Sequence, residues 1–271
     1  MGFATAGRAL PLFLVPFAFD VVILFLNPQF LTPSNPSVEF TLPMPFPSLS
    51  QVQGQTSASP PFFPLYPPPA LGQLSAPVLL LILGVQSYVA AGYLATLEMV
   101  RRGDTSRRFL GGANYLFSRI FAFNALIAVF LLLLEPFLRG YEQGPFTSLF
   151  ILSALLILLY FLFLTPFIVV VDDLSLGDAL RQSMQLALQS RQEVLPYCLA
   201  YAAITLLASA AVILLLPLPM VGTLISAGLY SLLGTALVAS TLHLYDELRP
   251  KEAVAAKVPS PRPAEEAAPA T

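Results

Sequence analysis

Between Phe146 and Val171 the chain runs for 26 residues without a charged side chain. Roughly 20 apolar residues in a helix cross the hydrocarbon core of a bilayer. A run of this length and purity therefore constrains the fold more than any other feature of the sequence. It is not isolated. Of the 271 residues 56% are hydrophobic and only 10% charged, and the mean hydropathy is +0.77. Soluble domains carry roughly a quarter charged residues, and so few charges cannot coat a globule in water. The expected class is all-α: a polytopic transmembrane helical bundle whose core is built inside lipid.

Six candidate spans follow from the apolar runs: Ala9–Leu26, Pro77–Leu97, Ile120–Leu134, Phe146–Val171, Val194–Leu216 and Met220–Leu244. The first is short and contains Pro11, Pro16 and Asp20. A signal peptide is the alternative, but no A-x-A-like site follows it, so a retained span is expected. Lysine and arginine are held on the cytoplasmic side of a membrane. With the N-terminus inside, 12 of the 13 fall there and only Arg139 falls outside. Both termini are then cytoplasmic, in a multi-pass protein of the cell (inner) membrane. The other five spans keep this orientation even if the first is removed.

The segment "VVVDDLSLGDALRQSMQLALQSRQEV", Val169–Val194, interrupts the apolar pattern on the cytoplasmic side. Ser175 and Asp178 have the S-x-x-D form of a capping box, and Asp172, Asp173 and Asp178 favour a helix's positive end. An amphipathic helix over Ser175–Ser190 is expected at the inner interface or packed under the bundle. Leu176, Leu180, Met184 and Ala187 form its apolar stripe, and Met184 is expected to be buried. A metal-phosphate site at the three aspartates is the functional alternative. D-D-x4-D is no familiar ligand spacing, and capping explains the acids.

"EMVRRGDTSRRFLGGANYLFSRI" joins spans two and three. Arg101, Arg102, Arg107 and Arg108 are candidate contacts for anionic lipid headgroups, at roughly 1 kcal/mol each. Topology signalling with snorkelling is the plainer reading of the same four residues. Phe109, Tyr115 and Phe117 are candidate interfacial anchors. Outside, residues 27–76 form a loop within the single membrane domain 1–244. Twelve of the chain's 26 prolines lie between Asn27 and Pro69, and Glu39 is the loop's one charge. Proline favours extended chain, while Phe40, Phe46, Phe62, Phe63, Leu65 and Tyr66 suggest partial order over the outer face and a candidate protein partner there. Residues 245–271, rich in Ala, Pro, Glu and Lys, read as a disordered cytoplasmic tail.

Catalytic signatures are absent. The single histidine, His243, excludes H-E-x-x-H and histidine-ligand zinc sites. Cys198 is the single cysteine, which excludes an internal disulfide and a cysteine zinc site. No phosphate-binding lysine loop and no G-x-S-x-G elbow occur. No cofactor, metal or nucleic-acid partner is expected. Lipid penalises polar side chains within spans, so Asp20, Gln86 and Asn124 form the candidate intramembrane polar site. For Asp20 the alternatives are a proton or cation site and a carboxyl paired within the bundle. Gln86 and Asn124 are candidate interhelical hydrogen-bond donors. Pro166 is expected to bend span four. Ala227, Ser231, Thr235 and Ala239, with Gly222 and Ser226, make a small-residue packing face on span six.

"TPFIVVVDDLSLGDALRQSMQLALQSRQEVLPY" combines a proline-bent span, an acidic step, an A-L-x-x-S amphipathic helix and a new span. Over roughly Pro77–Leu244 this resembles bacterial six-helix integral membrane proteins of unknown function, among them the membrane domain attached to some glycerophosphoryl diester phosphodiesterases. The resemblance implies topology and supplies no catalytic residue. The long Pro-rich loop departs from it, and no hydrolase domain is attached. The function expected is non-enzymatic: a scaffold or lipid-contacting component of the cell envelope. The alternative is a transporter or permease subunit for a small solute. Against that alternative, no lysine or arginine falls inside the spans that carry the midplane residues, and no Gly-Pro interruption recurs in matching halves.

Overall fold

A computed structural model describes residues 10–26, 76–103, 109–139, 145–215 and 219–249. The Pro-rich loop, Arg107, Arg108 and the tail beyond Arg249 lie outside the described residues. Every element among the described ones is helical. A 3-10 turn at Leu10–Phe13 leads into α1 (Leu14–Leu26). Then come α2 (Ala76–Arg102), α3 (Phe109–Arg139), α4 (Pro145–Leu162), α5 (Thr165–Asp172), α6 (Leu176–Gln189), α7 (Arg191–Leu215) and α8 (Pro219–Leu248). Among the described residues two segments, Phe109–Phe130 and Val221–Leu248, are long and apolar enough to cross a membrane.

The tightest pairing is α2 against α3, and two glycines permit it. A Cβ on Gly112 would stand 2.5 Å from the Cβ of Ala95, and one on Gly92 would stand 2.6 Å from the Phe109 ring. Hydrogen bonds fix the register: Tyr88 Oη donates to Asn114 Oδ1 at 2.8 Å, and Asn124 Nδ2 donates to Ser87 Oγ at 2.9 Å.

The expected bend at Pro166 is a full break. The 26-residue run is two helices, α4 and α5, separated by a turn at Phe163 and Leu164. Proline has no N–H to give the carbonyl one turn back, and its ring crowds that carbonyl. Near the break the carbonyl of Phe161 accepts from Ser183 Oγ at 2.6 Å. The short α5 sits at the centre of the fold, against α2, α3, α6 and α8. Phe167, Ile168 and Val169 on it are fully buried. They join Tyr93, Leu94 and Ile120 in the main core.

Ser175 caps α6 as expected. The Asp178 N–H donates to Ser175 Oγ at 3.3 Å, and Ser175 Oγ donates to Asp178 Oδ2 at 2.6 Å. The face that α6 buries differs from the expected stripe. Ala179, Ser183, Leu186 and Ala187 are buried, whereas Met184 is 47% exposed. Small side chains let α6 approach the bundle closely, close enough for Tyr160 Oη to donate to the Ala187 carbonyl at 2.9 Å. Met184 stands about a third of a turn away from that face.

On α8, Ser226, Ala227, Ser231 and Thr235 are buried, so the small-residue face lies inside. Tyr93 Oη reaches it from α2 and donates to Thr235 Oγ1 at 3.0 Å. From α7, Tyr197 Oη shares a hydrogen bond with Thr241 Oγ1 at 2.7 Å. The helix continues past the expected end of the last span at Leu244. Tyr245 is fully buried and helical, so the tail boundary moves to the C-terminal side of Leu248.

Candidate functional site

Polar side chains gather where the C-terminal ends of α2, α5 and α8 meet the first turns of α3 and the middle of α6. Glu98 is the anchor on α2 and is 5% exposed. The spacing to Arg101 and Arg102, three and four residues on, places all three on one helix face. Arg101 forks onto both Glu98 oxygens, Nε to Oε2 at 2.6 Å and Nη2 to Oε1 at 2.7 Å. Parallel donors matched to a planar carboxylate are the strongest geometry available to such a pair. Arg102 Nε also pairs with Glu98, and its Nη2 donates to the Val171 carbonyl at 3.0 Å. Val171 lies in the last turn of α5, where carbonyls lack helical partners, so Arg102 closes that terminus. Arg101 additionally pairs with Asp246 on α8.

The two acids ending α5 point to different partners. Asp172 is buried and accepts from the Tyr245 hydroxyl while pairing with Arg249. Gln182 on α6 donates through Nε2 to the same Tyr245 oxygen at 3.0 Å. Asp173 adopts a left-handed conformation, φ 58°, and ends the helix. A non-glycine residue there is disfavoured, aspartate less than most. Its carboxylate takes both the Tyr115 hydroxyl and Arg119 from α3. Glu98, Asp172, Asp173 and Asp246 thus face Arg101, Arg102, Arg119 and Arg249, four acids against four bases.

Several sequence expectations change meaning here. Arg101 and Arg102, read as lipid contacts, spend their charge on Glu98, Asp246 and a helix end, and Arg102 keeps its side chain half exposed. Arg107 and Arg108 lie outside the described residues. Tyr115, read as an interfacial anchor, is exposed on one side and bound to Asp173 on the other. Asp172, Asp173 and Asp178 are engaged separately, the last in the α6 cap. Among the described residues no group of three or more His, Cys, Asp or Glu gathers as a metal site would require.

Of the intramembrane candidates, Asn124 bridges α3 to α2 through Ser87, the neighbour of the expected Gln86. Gln86 itself is half-buried. Asp20 is 2% exposed and engaged within the protein, on the α1 helix that packs against α8. One turn back, the Phe17 ring approaches Gly228. Glu98, Tyr245, Asp246 and Arg249 were not singled out in the sequence. The E-x-x-R-R spacing was the available signal for the first. The others are set by contacts between helices far apart in the chain.

Chemically, the layer is a clasp. Each carboxylate in it holds a guanidinium, and two of them also hold a phenol. The matched charges fix four helix ends relative to one another. Comparison with known proteins adds no assignment: no family model, no curated protein and no solved structure matches the chain.

Proposed function

We propose that the chain is a six-span integral membrane protein with both termini in the cytoplasm, acting as a non-enzymatic scaffold or lipid-contacting component of the cell envelope. The spans are α1, α2, α3, α4 with α5, α7 and α8, and α6 lies on the cytoplasmic side. One observation carries the reading: four of the long helices expose large apolar side chains. Leu81, Val129, Leu207 and Val221 stand outward on α2, α3, α7 and α8, while Glu98, Arg101, Arg102, Arg119 and Asp246 on α2, α3 and α8 are collected in the clasp. An apolar exterior of this extent needs an apolar solvent. Lengths agree. At about 1.5 Å per residue, helices of 25–31 residues reach at least about 37 Å, more than a hydrocarbon core of about 30 Å. Arg101, Arg102, Arg119 and Arg249 share the clasp end, which supports placing that end in the cytoplasm. The packing of α1 on α8, with Asp20 buried, supports a retained first span.

A scaffold has its polar groups consumed in holding helices, and the clasp fits that description. Proteoliposomes of the purified chain, screened for proton- or sodium-driven uptake of amino acids, sugars and organic anions, test the role. The expected result is uptake equal to protein-free vesicles for the wild type and for Asp20→Asn alike. Driven uptake that disappears in Asp20→Asn overturns the scaffold reading in favour of a transporter.

A further inference from the structure

We propose that α6 is immersed in the cytoplasmic leaflet, with Leu180, Met184 and Leu188 in contact with acyl chains. The inference rests on the membrane reading above and adds to it a lipid-binding surface with named residues. The argument begins with the helix circumference. Successive residues turn by about 100°, and the side chains of α6 sort into three arcs. Ala179, Ser183, Leu186 and Ala187 occupy the first and are buried against the protein. About a third of a turn away stand Leu180, Met184 and Leu188. Leu180 is half-buried, Met184 47% exposed and Leu188 62% exposed. The last arc holds Asp178, Arg181, Gln185 and Gln189, all exposed and polar.

An amphipathic helix on a soluble protein needs two arcs, one for the core and one for water. A third arc that is apolar yet turned away from the protein needs a third medium. A helix at the rim of a membrane bundle meets protein, lipid and water together, and each takes about a third of its surface.

Two further observations identify the medium as acyl chain. Exposed leucines also recur on α7, the next helix, at Leu195, Leu199 and Leu206. These recur at four and seven residues on the helix read as span five. Arg181 falls on the border between the apolar and polar arcs of α6, where a long stem lies along apolar surface while its charge reaches the headgroups. Hydrogen bonds from Ser183 and Tyr160 fix the rotation of α6 about its own axis, so the apolar arc is held outward.

The chain has no tryptophan, so a single introduced one reports its own surroundings. The experiment uses the full chain in phosphatidylcholine vesicles, with chains either unmodified or brominated on the carbons nearest the glycerol. Met184→Trp and Leu188→Trp are expected to be quenched by the brominated lipid, with blue-shifted emission and little response to aqueous iodide. Gln185→Trp is expected to show the reverse. Leu207→Trp, on the 70% exposed position of α7 near the middle of its span, is read in vesicles brominated near the chain ends and reports on the membrane reading itself. Quenching of Leu207→Trp with iodide-accessible Met184→Trp and Leu188→Trp overturns this inference alone. No lipid quenching at Leu207→Trp overturns both. If neither α6 tryptophan variant accumulates, Met184→Cys and Gln185→Cys in a Cys198→Ala background decide by their rates with a water-soluble maleimide. The inference requires much slower reaction at Met184→Cys, and equal rates contradict it.

Discussion

Asp172→Ala is expected to lose about 3 kcal/mol of stability, roughly a hundredfold in the folding equilibrium. The carboxylate is buried and holds two partners at once, the Tyr245 hydroxyl and the Arg249 guanidinium. Truncation leaves a guanidinium largely buried without a counter-charge, which is the costly way to break a buried pair. Arg249 keeps some access to solvent, so the loss falls at the low end of the range for such pairs. Asp172→Asn retains shape and an acceptor for Tyr245, and its loss is expected to be about 1–2 kcal/mol. The second change Arg249→Leu, added to Asp172→Ala, is expected to recover part of the stability, because no unpaired charge remains. Thermal unfolding in detergent measures all three. An Asp172→Ala protein as stable as wild type removes the clasp from the energetics of the fold.

The next largest effect is expected at two adjacent glycines, with opposite signs. A Cβ on Gly112 meets the Ala95 methyl at 2.5 Å, and that methyl is fixed to its backbone and cannot turn aside. Carbon atoms rest at about 3.5–4.0 Å, so α2 and α3 must part by about 1 Å at the crossing. The separation loosens the Tyr88–Asn114 and Asn124–Ser87 hydrogen bonds further along the same pair of helices. Gly112→Ala is expected to cost about 2 kcal/mol, within the range for overpacking. A Cβ on Gly111 meets nothing within 4 Å. There the better helix propensity of alanine stands alone, and Gly111→Ala is expected to gain up to about 1 kcal/mol. Ala95→Gly combined with Gly112→Ala moves the methyl to the facing helix and restores most of the loss. Unfolding curves of the four proteins check the set. Equal stability of the two single glycine variants contradicts the close crossing.

What the sequence made legible follows the range of each signal. The Ser175 cap rests on atoms three residues apart, and Pro166 acts on its own turn, so both were readable. The small-residue face of α8 was readable because helical spacing alone aligns it. The clasp was only half readable. Glu98 with Arg101 and Arg102 is a local spacing, but Arg249 with Asp172 joins positions 77 apart, and no periodicity encodes that choice. Met184 failed for another reason. Periodicity separates apolar from polar side chains, and it does not separate protein from lipid. An apolar arc divided between those two media looks like one stripe in the sequence.

The central claim is that the ion-paired end is the cytoplasmic end of a six-span bundle. Cysteine accessibility in intact cells tests it most directly, with Cys198→Ala as background. Ser57→Cys and Gln143→Cys mark two of the loops read as external, and Gln185→Cys marks α6 beside the clasp. An impermeant thiol reagent is expected to label the first two in intact cells and Gln185→Cys only after permeabilisation. Labelling of Gln185→Cys in intact cells, with Ser57→Cys protected, contradicts the topology and with it the cytoplasmic clasp.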